Sequence, residues 1–197
     1  MVWAPLYWRQ YGAQNFLFFC DIGNVLIGIA LWLESPLLFS WAACGLLVFQ
    51  TIYIIDIVGA WFAPHHEFGG VEYMFDPHVP LPIRLLSLFH VVTPPLLVWA
   101  ILRVGYDARG WKAATIMTWI VIPLNYFWRP GFDVNWARGL FFRQQNAIPA
   151  WAYMLLYLTI VPICVYFPTH VALRWATEEW KGTSGAKALR ESARQRR

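Results

Sequence analysis

Five apolar runs of bilayer length alternate along this chain with two short polar turns and two longer connections. They fall at about 13–33, 37–60, 82–103, 111–128 and 149–172, each near the roughly 20 residues that a spanning helix needs. The pattern predicts an all-α fold: a polytopic transmembrane bundle of five spans filling residues 1–175. Ser35 and Pro36 predict a tight first turn, with Pro36 suited to the start of a helix. Residues 105–110, bounded by two glycines, predict a second. The connections at 61–81 and 129–148 are long enough to lie on the membrane surface as lids. Beyond them, 176–197 is basic, polar and rich in small residues, which predicts a disordered tail.

Composition reinforces this picture. Of the 197 residues 59% are hydrophobic and 13% charged, about half the charged share of a soluble domain. The 13 Trp, 9 Tyr and 14 Phe suit interfacial aromatic belts. The opening MVWAPLYWRQYG lacks the pattern of a cleavable signal, and Trp3, Tyr7 and Trp8 read as an interfacial anchor. A net charge of +4 is no nucleic-acid signature, because seven of the 15 Lys and Arg residues lie in 174–197. Cys20, Cys44 and Cys164 sit in separate apolar runs without metal or disulfide spacing, and read as packing residues.

With five spans, the 103–112 turn and the tail share one side and carry ten Lys and Arg; the other side carries five. The bias predicts a cytoplasmic tail and an external N-terminus. That topology gathers the polar residues of the spans in the outer leaflet: Gln14, Asp21 and Asn24, then Asp56, then Arg84, Ser87 and His90, then Asn125 and Arg129. An ionisable group near a span centre costs about 2.5–3.5 kcal/mol on insertion scales. Gln14, Asp21, Asn24 and Gly28 would share an arc of about 80° on a continuous helix. Together these residues predict a polar pocket opening outward, with Asn24, Asp56, Arg84, Ser87, Asn125 and Arg129 around Asp21 and His90. The alternative is structural: Asp21 and Asp56 paired with Arg84 and Arg129, although interhelical polar contacts average only about 0.6 kcal/mol. Pro94, Pro95, Pro123, Pro162 and Pro168 would each free a backbone carbonyl in a span, as ordinary membrane-helix prolines or as kinks beside a cavity.

Several chemistries fit parts of this set. His65, His66, Glu67, Asp76 and His78 are metal-ligand types, but no helical ligand spacing is present and Asp76-Pro77 favours a turn. Cys20, His90 and Asp21 supply a thiol, a base and an orienting carboxylate for acyl transfer on a lipid. Cys20 is turned about 100° from Asp21 on a helix, so both cannot point straight into one pocket. A proton path lacks an exit through the apolar inner halves, and no two histidines are placed for haem. His170 is expected to snorkel to the inner surface. No cofactor is assigned. The expected partners are membrane lipids and other integral-membrane subunits, not nucleic acid. The leading function is binding or acting on a lipid or small molecule; the alternative is an accessory subunit of a membrane complex.

Three stretches carry a resemblance: QYGAQNFLFFCDI, EYMFDPHVPLPIRLLSLFH and VYFPTHVALRW. Over residues 10–175 the chain resembles a group of bacterial integral-membrane proteins usually labelled only as membrane-associated. The resemblance implies the inner membrane and no particular activity. That group has Ser at the position of Cys20, which weighs against a thiol nucleophile. The CDI of the first run and the FH of the third are also similar to YwaF-like membrane proteins, whose relatives are linked to Cys–His lipid acyl transfer.

Overall fold

The computed structural model describes residues 3–62, 70–128 and 133–195, and every regular element among them is helical. Helix α1 (Trp3–Tyr11) leads through a 3-10 turn (Ala13–Leu17) into α2 (Phe19–Leu33). After α3 (Pro36–Phe62) come α4 (Leu81–Leu86), α5 (Phe89–Val104) and α6 (Gly110–Trp128). Helix α7 (Ala150–Val161) passes through a π-turn (Pro162–Tyr166) into α8 (Phe167–Gln195). Three stretches are long and apolar enough to cross a membrane: Pro36–Phe62, Leu81–Val104 and Ala150–Thr183.

The other two apolar runs are shorter or more mixed. Helix α2 has 15 residues, a rise of only about 22 Å. The single helix expected from about residue 13 is broken at Phe18, whose backbone is extended (ψ 135°). Gln14 consequently lies in the 3-10 turn and bonds the Tyr11 carbonyl, off the polar face expected of a continuous helix. Helix α6 has 19 residues, about 28 Å. Lys112, Asn125 and the polar-edged rings of Trp111, Trp119, Tyr126 and Trp128 dilute its apolar content.

Helix α3 occupies the middle of the bundle, with α2, α5 and α6 packed around it. It is apolar on every side, as a helix without a solvent face must be. Buried Ala42, Ala43, Cys44 and Gly45 let neighbouring backbones come close. A close approach of backbone to backbone is at the start of α6, where a Cβ on Gly110 would lie 2.6 Å from the Ser40 carbonyl carbon. Ser40 Oγ also accepts the Asp107 N–H at 2.9 Å, tying the α5–α6 turn to α3. At this end Tyr106 OH bonds His170 Nδ1 at 2.7 Å and Cys44 Sγ at 3.3 Å. His170, only partly buried, is tied to the bundle through that bond.

The turns match their residues. Glu34 caps α2 in a left-handed conformation, Ser35 Oγ accepts the Leu38 N–H, and Pro36 opens α3. The prolines interrupt less than expected. Helices α5 and α6 run through Pro94, Pro95 and Pro123, whereas Pro162 coincides with the π-turn. The third run is interrupted at residues 87–88, where Leu88, His90 and Val91 bond three residues back instead of four. The 176–197 tail lies largely within the backbone of α8, in keeping with its helix-forming Ala, Lys, Arg and Glu.

The outer surface is apolar and edged with tryptophan. Exposed Trp61, Trp128 and Trp151 mark one end of the bundle; Trp32, Trp99 and Trp175 lie toward the other. Between them Ile29, Val92, Ile120, Leu155 and Ile163 face outward, a surface that suits hydrocarbon and not water.

The close approach at Gly110 sets a test of packing. Gly110→Ala should destabilise the chain in detergent by about 1–3 kcal/mol, because the new Cβ meets backbone that cannot rotate away. Gly59→Ala, whose Cβ would have no atom within 4 Å, should leave the melting temperature unchanged or slightly raised.

Candidate ligand cavity

Where the start of α2, the C-terminal half of α3 and the α4–α5 junction meet, they enclose a cavity of about 480 Å³. One face of α3 forms its wall, with Leu46, Phe49, Gln50, Tyr53 and Asp56 at spacings of three and four residues. Asn15 and residues 18–21 form a second wall, and Ser87, Phe89 and His90 a third. Both long connections contribute, through Glu72 and Tyr73 on one side and Asp133, Asn135 and Trp136 on the other. Tyr7, Tyr11 and Tyr157 complete the lining with further rings.

The break in the first run is held from across the molecule. Asn135 Oδ1 accepts the Phe19 N–H at 2.8 Å, and Asn135 Nδ2 donates to the Leu17 carbonyl at 2.7 Å. One side-chain amide therefore takes up backbone groups on both sides of Phe18. Asn135 (φ 57°) and Trp136 (φ 60°) are both left-handed, a costly conformation for residues with a Cβ. Tyr153 OH donates to the Trp136 carbonyl at 3.1 Å, and the Trp136 ring meets Phe49 edge-on at 5.7 Å. These contacts hold the strained pair against the cavity.

The polar groups of the lining are only partly satisfied. Asp21 is 2% exposed; its Oδ2 accepts from Asn15 Nδ2 at 2.7 Å, while Oδ1 has no partner among the described residues. Gln50 is 1% exposed, and neither its oxygen nor its nitrogen has a partner among the described residues. Asp133 Oδ1 accepts the Arg138 N–H at 3.2 Å, and Oδ2 has no partner among the described residues. Burial pushes the Asp133 carboxyl up to about 6 and lifts the Tyr73 phenol well above its ordinary range. A second group of hydroxyls is linked: Tyr7 OH with Ser87 Oγ at 2.5 Å, and Tyr53 OH with Tyr73 OH at 3.0 Å.

His90 is fixed on two sides. Its ring stacks on Tyr53 with centroids 4.0 Å apart, and Nδ1 lies 3.0 Å from the Ser87 carbonyl. A carbonyl can only accept, so Nδ1 carries a proton and Nε2 is the acceptor nitrogen of the neutral ring. Cys20 lines the same cavity, but no hydrogen bond joins it to His90 among the described residues. Arg84 donates to the Met74 carbonyl at 3.3 Å and forms no ion pair with Asp21.

Of the residues singled out from the sequence, Cys20, Asp21, Asp56, Ser87 and His90 line the cavity; Asn24, Arg84 and Asn125 do not. Asn125 is buried on α6, without a hydrogen bond among the described residues. Arg129, His65, His66 and Glu67 lie outside the described residues. Asp76 accepts the His78 backbone N–H at 2.8 Å in the expected turn. Among the described residues no three His, Cys, Asp or Glu side chains stand together as a metal site. Sequence reasoning missed Asn15, Tyr53, Tyr73, Asp133, Asn135 and Trp136 as lining residues. The one signal for them was the alternation of acids with aromatic rings in EYMFD and GFDVNW.

The raised Asp133 carboxyl gives a pH test. The folded chain favours the protonated form, so stability falls as pH rises from the ordinary 3.8 through about 6, and the loss persists above that. Asp133→Asn cannot ionise. It should raise the melting temperature at neutral pH, leave it unchanged near pH 3.5, and flatten the profile between.

Compared with family models, with curated proteins and with solved structures, the chain matches none.

Proposed function

We propose that this chain is a five-span protein of the bacterial inner membrane whose cavity, in the extracytoplasmic leaflet, binds a lipid or a small molecule. The observation that carries the reading is Gln50: a fully buried amide at the cavity wall with both its polar atoms unpartnered among the described residues. Leaving such atoms buried and unmet costs about 1–3 kcal/mol each, a cost that a ligand with matching donors and acceptors removes. The mostly apolar lining, with a few convergent polar groups, is the common make-up of a small-molecule site.

Five spans follow if α2 crosses with help from the 3-10 turn before it and α6 crosses at its full 19 residues. The tryptophans at the ends of α3, α6 and α7 support an interface at the cavity end. The ten-to-five bias in Lys and Arg supports an external cavity. Binding is favoured over Cys–His acyl transfer, because His90 engages Ser87 and Tyr53 and makes no bond to Cys20.

Two measurements test this. The full chain, purified in mild detergent and analysed by native mass spectrometry, should retain about one lipid or small molecule per chain, and Gln50→Leu should lose it. An empty wild-type chain that co-migrates with a stoichiometric protein partner would favour the accessory-subunit reading instead. For topology, a C-terminal reporter active only in the cytoplasm should give signal; signal from an exterior-only reporter would reverse the orientation.

A further inference from the structure

Building on the proposed ligand site, we infer that the cavity takes a cation: an amino or quaternary ammonium group with an oxygen acceptor close by, as in amino alcohols and their phosphate esters. The first support is the sign of the lining. Asp21, Glu72 and Asp133 reach it from three separate elements, and among the described residues no lysine or arginine lines it. The two neighbouring arginines direct their side-chain hydrogen bonds to carbonyls, although the charge of Arg138 also reaches Asp133. Arg84 bonds the Met74 carbonyl, and Arg138 bonds the Tyr126 carbonyl with its guanidinium 4.7 Å from that ring's centre.

The second support is the state of the carboxylates. Asp21 and Asp133 each have one oxygen held by a protein N–H and the other without a donor among the described residues. Glu72, which is exposed at the rim, accepts the Gly70 N–H at 2.6 Å; the buried carboxylates are Asp21 and, in part, the half-buried Asp133. A buried carboxylate is tolerable when a counter-charge meets it. An anionic head group would meet repulsion here, and a neutral one would leave that charge unanswered.

The third support is independent of charge. The buried Gln50 amide offers an unused acceptor and an unused donor side by side. An ammonium N–H can meet the oxygen, and an ester, phosphate or hydroxyl oxygen on the same ligand can meet the nitrogen. The rings of Tyr53 and Trp136 stand on the same walls, and aromatic faces attract cations most strongly where water is excluded. Acids, rings and a free amide together specify an ammonium bearer; each alone would not.

The head group of a zwitterionic phospholipid and a free amino alcohol share this chemistry, so the test has two arms. In the first, the full chain in phosphatidylglycerol nanodiscs is titrated with ethanolamine, which carries N–H donors, with choline, and with the uncharged carbon isostere of choline, in which tert-butyl replaces trimethylammonium. Binding is read from thermal shift and tryptophan fluorescence. In the second, nanodiscs of mixed phosphatidylethanolamine, phosphatidylcholine and phosphatidylglycerol are delipidated, and the retained lipid is identified by native mass spectrometry. The expected result is a preference for an ammonium probe or a zwitterionic lipid of at least roughly tenfold. Glu72→Gln and Asp133→Asn, which keep the size of each side chain and lie outside the α-helices, should each reduce it severalfold. A response in the first arm identifies a free amine; one confined to the second identifies a lipid head group.

Equal binding of ethanolamine, choline and the isostere, together with retention of phosphatidylglycerol as good as that of the zwitterionic lipids, overturns the cation assignment and leaves the ligand site standing. Failure of every probe and every lipid to bind overturns both.

Discussion

At membrane depth a helix can stop only where something other than water takes its hydrogen bonds, and the first apolar run stops at Phe18. The bonds lost there are replaced by one side chain, Asn135, which is 116 residues away in sequence from the Phe19 N–H it accepts. Most of the cavity's architecture depends on that exchange. It pins the 133–142 connection to the start of α2, sets Trp136 against Phe49, and orients Asp21 so that Asn15 can reach it. With a straight helix through Phe18, Asn135 would have no backbone to satisfy there and the wall it forms would have no anchor.

The same accounting separates a ligand site from structural glue. A network built only to join helices should close on itself, each buried donor meeting an acceptor. The end away from the cavity behaves in that way: Cys44, Tyr106 and His170 form one chain, and Ser40 meets Asp107. The cavity end does not. Gln50, Asp21 and Asp133 all keep polar atoms unmatched among the described residues, and the arginine expected to neutralise Asp21 is bonded to a carbonyl instead. Polar burial of this kind, beside open volume, has the form of a surface built for a partner that is not part of the chain.

How much of this could be seen in the sequence follows from the range of the forces involved. The apolar runs, the Pro36 start and the turn at Asp76 are decided by neighbours in the chain, and they were legible. The convergence of Asp21, Asp56, Ser87 and His90 on one cavity follows from the similar height at which they sit on helices that run in alternating directions. Asn24 follows Asp21 by one turn on α2 and does not line the cavity. Asn135 was not legible. Its importance lies in a contact with Phe19 that no local pattern encodes, and its strained backbone is a property of the fold. The aromatic rings were counted as interfacial belts; Tyr53 and Trp136 instead line the cavity, and composition alone cannot divide the two groups.

Two prolines follow His90 in α5. Residues 94 and 95 have no N–H, so the carbonyls of His90 and Val91 lose their usual helical partners. Upstream of them the chain tightens separately: the N–H groups of Leu88, His90 and Val91 bond the carbonyls of Leu85, Ser87 and Leu88, three residues back. That tightening sits at the seam between α4 and α5, beside the cavity, and holds the His90 ring against the Ser87 carbonyl. With Nδ1 used in this way, only Nε2 of the ring remains as an acceptor. Beside the acids, it gives the cavity one more lone pair for an ammonium donor and no competing positive charge while the ring is neutral.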